Sequence, residues 1–227
     1  ALHRAGAAIS VVVATDGEAA FPSLGPTARA ALAATRRAEL DAALARLDIG
    51  EVPVHRLGLP DSALHEHAEA LHEALRGHLA GADAYLAPWP GDPHPDHAAV
   101  GRAAAAAAPV TAHGWSYLVW TWAWTTPDDP GLPWSRAYTV ALTADDREAR
   151  RRAVDAYASQ LEPGPDGAPA ILGRGLLAHL DRRADLLLRE PRSSGAPADR
   201  FAELYEGGRD PWSADSWYER RKRAVVL

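Results

Sequence analysis

The 227-residue sequence contains no cysteine and no methionine. Without cysteine there is no disulfide, no thiolate nucleophile and no sulfur ligand, so a metal can be held only by His, Asp and Glu. A reducing, cytoplasmic setting is the expectation for such a chain. Without methionine, not even an initiator, and with residues 1–5 reading as the end of a helix stopped at Gly6, a segment is expected to be missing upstream. No apolar run approaches the roughly 20 residues that span a bilayer, and no secretory signal precedes the first strand. The net charge is −6 and no Lys/Arg-rich block occurs outside the extreme C-terminus, so nothing suggests a nucleic-acid groove and no nucleic-acid partner is expected. What remains, 47% apolar and 24% charged, suits one sizeable soluble α/β core.

The densest chemistry lies in Trp89-Pro90-Gly91-Asp92-Pro93-His94-Pro95-Asp96-His97. Residues 83–88 before it form an apolar run that reads as a buried strand, and an Ala-rich helix is expected after it, over about residues 96–108. Proline and glycine make the connection a rigid turn. Polar side chains at the carboxyl end of a strand lie where α/β sheets bind ligands. His94 and His97, three apart at the mouth of a helix with Asp96 between them, can converge on a zinc-type ion. The same residues also suit a capping turn, with Asp96 accepting backbone N–H groups and the histidines merely exposed.

Other turns follow the same plan. Residues 7–14 read as a fully buried parallel strand ending in Thr15-Asp16-Gly17-Glu18. A helix opens at Pro26-Thr27 and runs to about Leu47, with Leu32, Leu40, Leu44 and Leu47 inward and Arg36, Arg37, Glu39 and Asp41 read as its solvated face. Residues 51–57 alternate like a strand and run into Gly58-Leu59-Pro60-Asp61. A helix over residues 65–79 turns Leu64, Leu71, Leu75 and Leu79 inward, with His65, His67, His72 and His78 on a solvated surface. Trp120, Trp122 and Trp124 alternate with Thr121, Ala123 and Thr125, the pattern of a strand with one aromatic face. That face suits either a core or subunit interface, or a wall on which a sugar stacks. A strand over residues 136–142, a Thr143-capped helix to about Leu161 and a last helix over residues 171–190 complete the pattern. The expected fold is α/β, a Rossmann-like three-layer arrangement with a mostly parallel sheet. It would gather Asp16, Glu18, Asp61, His94, Asp96 and His97 on one rim. No Gly-rich phosphate fingerprint follows the first strand, so no nucleotide cofactor is expected there.

Thr15-Asp16-Gly17-Glu18, Arg36-Arg37-Ala38-Glu39-Leu40, Gly58-Leu59-Pro60-Asp61 and His94-Pro95-Asp96-His97, in this order, resemble the PIG-L (LmbE-like) zinc-dependent N-deacetylases. Tyr157-Ala158-Ser159-Gln160 also looks like the family, and the resemblance covers about residues 1–190. It implies removal of an N-acetyl group from an amino-sugar conjugate, with zinc, or iron in its place, as cofactor. By resemblance His97 is a metal ligand, His94 stabilises the tetrahedral intermediate, Asp96 orients His94, and Arg36 and Asp61 contact sugar hydroxyls. Trp120 is kept as a candidate stacking residue. The family's His-Pro-Asp-Asp-Glu turn, which supplies two further ligands and the base, is absent from the sequence. A non-catalytic carbohydrate-binding or scaffolding domain is the alternative.

Ser193-Ser194-Gly195-Ala196-Pro197 reads as a linker, dividing residues 1–192 from a tail of residues 193–227. Arg209-Asp210-Pro211-Trp212 and Ser216-Trp217-Tyr218-Glu219-Arg220 in that tail resemble the start of a nodulation-type SAM-dependent methyltransferase. SAM would be a cofactor only of such a fused domain.

Overall fold

The computed structural model describes residues 2–191. The linker and the methyltransferase-like tail lie outside the described residues. The strands are Val11–Val13 (β1), Val54–Arg56 (β2), Ala84–Pro88 (β3), His113–Tyr117 (β4), Ala137–Ala141 (β5) and Ala184–Arg189 (β6). The helices are Pro26–Arg46 (α1), Ala68–Leu79 (α2), Pro95–Ala107 (α3), Thr121–Trp124 (α4), Ala144–Val154 (α5), Ala158–Leu161 (α6) and Arg174–Leu180 (α7). The chain divides into two compact units, one of Ala1–Ser62 with Thr139–Asp185, the other of Ala63–Tyr138 with the stretch from Leu186. No helix among the described residues is long and apolar enough to cross a membrane.

In the first unit β1 and β2 pair in parallel, Val12 opposite His55. β1 is only half-buried, where its β-branched run suggested full burial. α1 starts on a proline behind Gly25, as a ring with fixed φ and no N–H favours. It packs on α5 and α6 around Ala43, Ala153 and Ala156. Thr143 and Asp146 cap α5 reciprocally, each side chain accepting the other's backbone N–H. The single helix expected over residues 144–161 is broken between α5 and α6.

In the second unit a 3-10 turn, Leu64–His67, leads into α2, which packs on α3. Leu64, Leu71 and Leu75 are buried as their spacing requires, but so is His72, read above as solvated. Burial lowers the His72 pKa from its ordinary value. β3 pairs in parallel with β4, Leu86 opposite Trp115, and β4 pairs antiparallel with β6, Ser116 opposite Leu188. The sheet order is β3-β4-β6-β5, and β5 and β6 have residues in both units. The sheets are therefore small and mixed; a single, mostly parallel sheet is not formed among the described residues.

Two elements differ in kind from the sequence reading. Residues 184–189, expected inside the last helix, form β6, and Leu188 is fully buried. A short apolar run carries no periodicity that separates strand from helix, and pairing with β4 decides it. The tryptophan segment is not a strand: β4 ends at Tyr117, and Thr121–Trp124 is a helical turn. Trp120 and Trp124 are then one turn apart and stack, with ring centroids 4.5 Å apart and planes 18° from parallel. Alternation with threonine and alanine had imitated a strand.

α3 is positioned by a close approach. It is paved with buried alanines, and a Cβ built on Gly101 would lie 2.3 Å from the Pro88 carbonyl oxygen and 2.8 Å from Pro90 N. Only glycine lets the helix come this near the end of β3. The His94–His97 turn at its N-terminus is thereby fixed against the strand end.

Candidate functional site

Polar side chains collect at strand ends in both units. In the second unit the turn after β3 brings Asp92 into the interior, its side chain wholly enclosed. Oδ1 accepts the His94 backbone N–H at 3.1 Å and lies 3.2 Å from His97 Nδ1. Oδ2 accepts the Val119 N–H at 3.2 Å, the Thr121 N–H at 3.3 Å and the Thr121 hydroxyl at 3.0 Å. Burial by itself raises the pKa of this carboxyl, but the His97 contact, with the backbone N–H groups of His94 and Val119, brings it below the ordinary range. Asp92 is an anion at neutral pH. The nitrogen facing it must carry a proton, so neutral His97 is Nδ1–H with a bare lone pair on Nε2. Its side chain keeps 29% of its surface exposed.

His94 has the opposite arrangement. It is the N-cap of α3, its Nδ1 accepting the Asp96 backbone N–H at 3.3 Å. A ring nitrogen that accepts a backbone N–H carries no proton, so neutral His94 presents Nε2–H. The capping role that the sequence offered to Asp96 belongs to His94. Asp96 meets His94 through its backbone, and its buried carboxylate takes the Leu64 N–H at 3.3 Å, holding the turn before α2. The two imidazoles lie 4.6 Å apart, tilted by 31°. One offers a proton and the other a lone pair.

The donor set can be tested against a metal ion. A histidine whose Nδ1–H is held by a carboxylate and whose Nε2 is bare is the form in which imidazole binds metals. His97 fits a ligand. Among the described residues no group of three or more His, Cys, Asp or Glu could hold a metal ion, so they do not by themselves complete a site.

In the first unit Asp61 is tied to the turn after β1. Its carboxylate accepts the Thr15 hydroxyl at 3.1 Å and the Ala19 N–H at 3.0 Å, and its own N–H donates to Glu18 Oε1 at 3.0 Å. Gly17, at φ +72°, lets the turn reverse, and its carbonyl accepts Arg36 Nη1 at 2.6 Å. Asp16 pairs with Arg37 at 2.5 Å. Burial lowers the Arg36 pKa, opposed by the charges of Asp61, Glu39 and Glu18. Nε and Nη2 of Arg36 are buried without a hydrogen-bond partner, two donors directed at no protein acceptor. Glu39 is 7% exposed, and its two oxygens accept the Ser159 N–H and hydroxyl, each at 2.7 Å. Arg36 and Glu39 are thus not the solvated helix face that the sequence suggested. Of the candidate residues, Arg36 and Asp61 share this cluster, while His94, Asp96 and His97 share the other, with Trp120 beside the Thr121 turn that Asp92 holds.

Sequence reasoning missed Asp92 as a functional group. The one signal was its position, two before His94 and five before His97 in a Pro/Gly turn at a strand end.

Residues 1–108 match the PIG-L family model, GlcNAc-PI de-N-acetylase. The match takes in the three turns and α1 with its Arg36–Leu40 segment, and stops at the C-terminal end of α3. The fold is similar to that of the N,N'-diacetylchitobiose deacetylase from Pyrococcus horikoshii, solved with its inhibitor MPG. That similarity has a TM-score of 0.56 and 21% identity, and covers 84% of this chain and 75% of the other. Among curated proteins no sequence match is found.

Proposed function

We propose that this chain is a metal-dependent N-deacetylase that hydrolyses the acetamide of an amino-sugar-type substrate. The observation that carries the reading is the histidine pair, a proton donor at His94 Nε2 beside a lone pair at His97 Nε2. The PIG-L match through residue 108 and the deacetylase-like fold support it. His97 is assigned as one metal ligand, with two more ligands and a base assigned to a His-Pro-Asp-Asp-Glu turn upstream. A zinc or iron ion, when bound, would supply a Lewis acid for the amide carbonyl and its water.

The roles of this chain's own residues follow from their hydrogen bonds. His94 donates from Nε2 to the amide oxygen as charge develops on it; removing one such donor costs about 3 kcal/mol in other enzymes, on the order of a hundredfold in rate. Asp96 keeps the His94 ring oriented by binding its far nitrogen. Arg36, with two buried unmatched donors, and Asp61 are assigned to sugar hydroxyls, and Trp120 to stacking on a sugar ring.

The test is acetate release from N-acetylglucosamine conjugates by a zinc-loaded protein extended upstream through that turn. His97→Ala should abolish metal binding, and His94→Ala should lower kcat about a hundredfold with the metal retained. A metal-loaded extended protein that releases no acetate from any amino-sugar amide overturns the reading. The Trp120–Trp124 stack favours a second reading, a carbohydrate-binding domain without catalysis; that predicts saturable sugar binding that survives both chelation and His94→Ala. Residues 193–227 are proposed to begin a fused methyltransferase, which SAM binding by a protein extended downstream would test.

A further inference from the structure

We propose that Asp92 is a positioning residue whose single carboxylate decides which nitrogen of His97 is bare. Five donors converge on its two oxygens, and the side chain is wholly enclosed. Three of the five are backbone N–H groups, of His94, Val119 and Thr121, which can only donate. The Thr121 hydroxyl can turn away but gains nothing by doing so. Imidazole is the one partner with a choice of tautomer, and a buried carboxylate leaves it no choice.

Asp92→Asn shows why the effect is directional. An amide has one accepting oxygen and one donating NH2 in place of two accepting oxygens. With its oxygen toward Val119 and Thr121, the NH2 faces His97 Nδ1 and one backbone N–H. With the amide reversed, the NH2 faces two backbone N–H groups and a hydroxyl. The first orientation leaves fewer buried donors unmatched and is preferred. In it His97 Nδ1 becomes an acceptor and its proton moves to Nε2. The substitution thus closes the lone pair on the far side of the ring without touching that side. The assignment bears on the deacetylase reading, because only bare Nε2 can ligate, but its test does not depend on acetate release.

The experiment is long-range 1H–15N correlation of the imidazole nitrogens in the 227-residue protein, at a pH of about 8 where histidine is ordinarily neutral. Wild-type His97 is expected mainly as Nδ1–H, and His94, the internal control, as Nε2–H in both proteins. In Asp92→Asn the Nε2–H form of His97 becomes the major one. Histidine freed into water also favours Nε2–H, so the deciding reading is the wild-type preference for Nδ1–H, which a merely structural Asp92 would not impose. Wild-type His97 found mainly as Nε2–H, or an Asp92→Asn protein that keeps Nδ1–H, overturns the proposal. If the variant does not fold, the wild-type spectrum decides by itself.

Discussion

Truncating Glu39 to alanine removes both acceptors of Ser159 at once. Each contact is 2.7 Å and charge-assisted, a class that contributes about 1.5–3 kcal/mol. Two such bonds would give about 3–6 kcal/mol if nothing replaced them. Ser159 is only half-buried, so water recovers part, and a net loss of about 2–3 kcal/mol is expected. Ser159→Ala, which leaves the N–H contact intact, should cost about 1–1.5 kcal/mol. Glu39→Gln should cost about 1 kcal/mol, because the serine hydroxyl can turn and accept from the new NH2. In the double variant Glu39→Ala/Ser159→Ala the shared bond is lost once, so the sum of the single effects should exceed the double by about 1 kcal/mol. Equilibrium urea unfolding measures all four proteins; in thermal unfolding each kcal/mol appears as a fall of about 2–4 °C for a chain of this size. Effects that add to within about 0.5 kcal/mol, or a Glu39→Ala loss below that figure, refute the reasoning.

Tyr117 keeps 36% of its surface exposed, but desolvation of its phenol, aided by the negative charge of Asp92, pushes it from 10.0 up to about 12. Raised in the folded state, it contributes stability that is complete below its unfolded value and lost as pH rises from about 10 to about 12. Phenolate absorbance should show a late component, shared with the Tyr157 phenol that burial also raises, which Tyr117→Phe reduces and Asp92→Asn moves in part to lower pH; a Tyr117 that ionises near 10 contradicts this. Gly101→Ala sets two effects against each other. Helix propensity favours alanine by about 1 kcal/mol, while a Cβ 2.3 Å from the Pro88 carbonyl oxygen pushes α3 off the strand end, costing about 1–3 kcal/mol. Net destabilisation in urea is expected, and a stabilised variant would refute the close approach of α3 to the end of β3.

How much was legible in the sequence depended on how local the cause was. α1 and α3 were read nearly to the residue, because proline and glycine mark their beginnings within a few positions. The histidine turn was found for the same reason. Asp92 was not, since its Oδ2 partners lie 27 and 29 residues further along the chain and nothing in an isolated aspartate announces them. Glu39 looked like any charge on a helix; its partner is 120 residues away. The tryptophan segment misled because period two and a single helical turn place aromatic rings at positions that four residues cannot distinguish.

The buried face of α3 has a mechanical consequence. Ala98, Ala99, Ala103, Ala104, Ala106 and Ala107 have no side-chain torsions to freeze, so seating the helix sacrifices backbone freedom alone. A leucine-faced helix can settle into several rotamer packings and drift by fractions of an ångström among them. An alanine-faced one has a single resting place, set by main chain against main chain. The His94–His97 turn at its tip is therefore placed with the tolerance of a backbone, a fixed mount instead of an adjustable one.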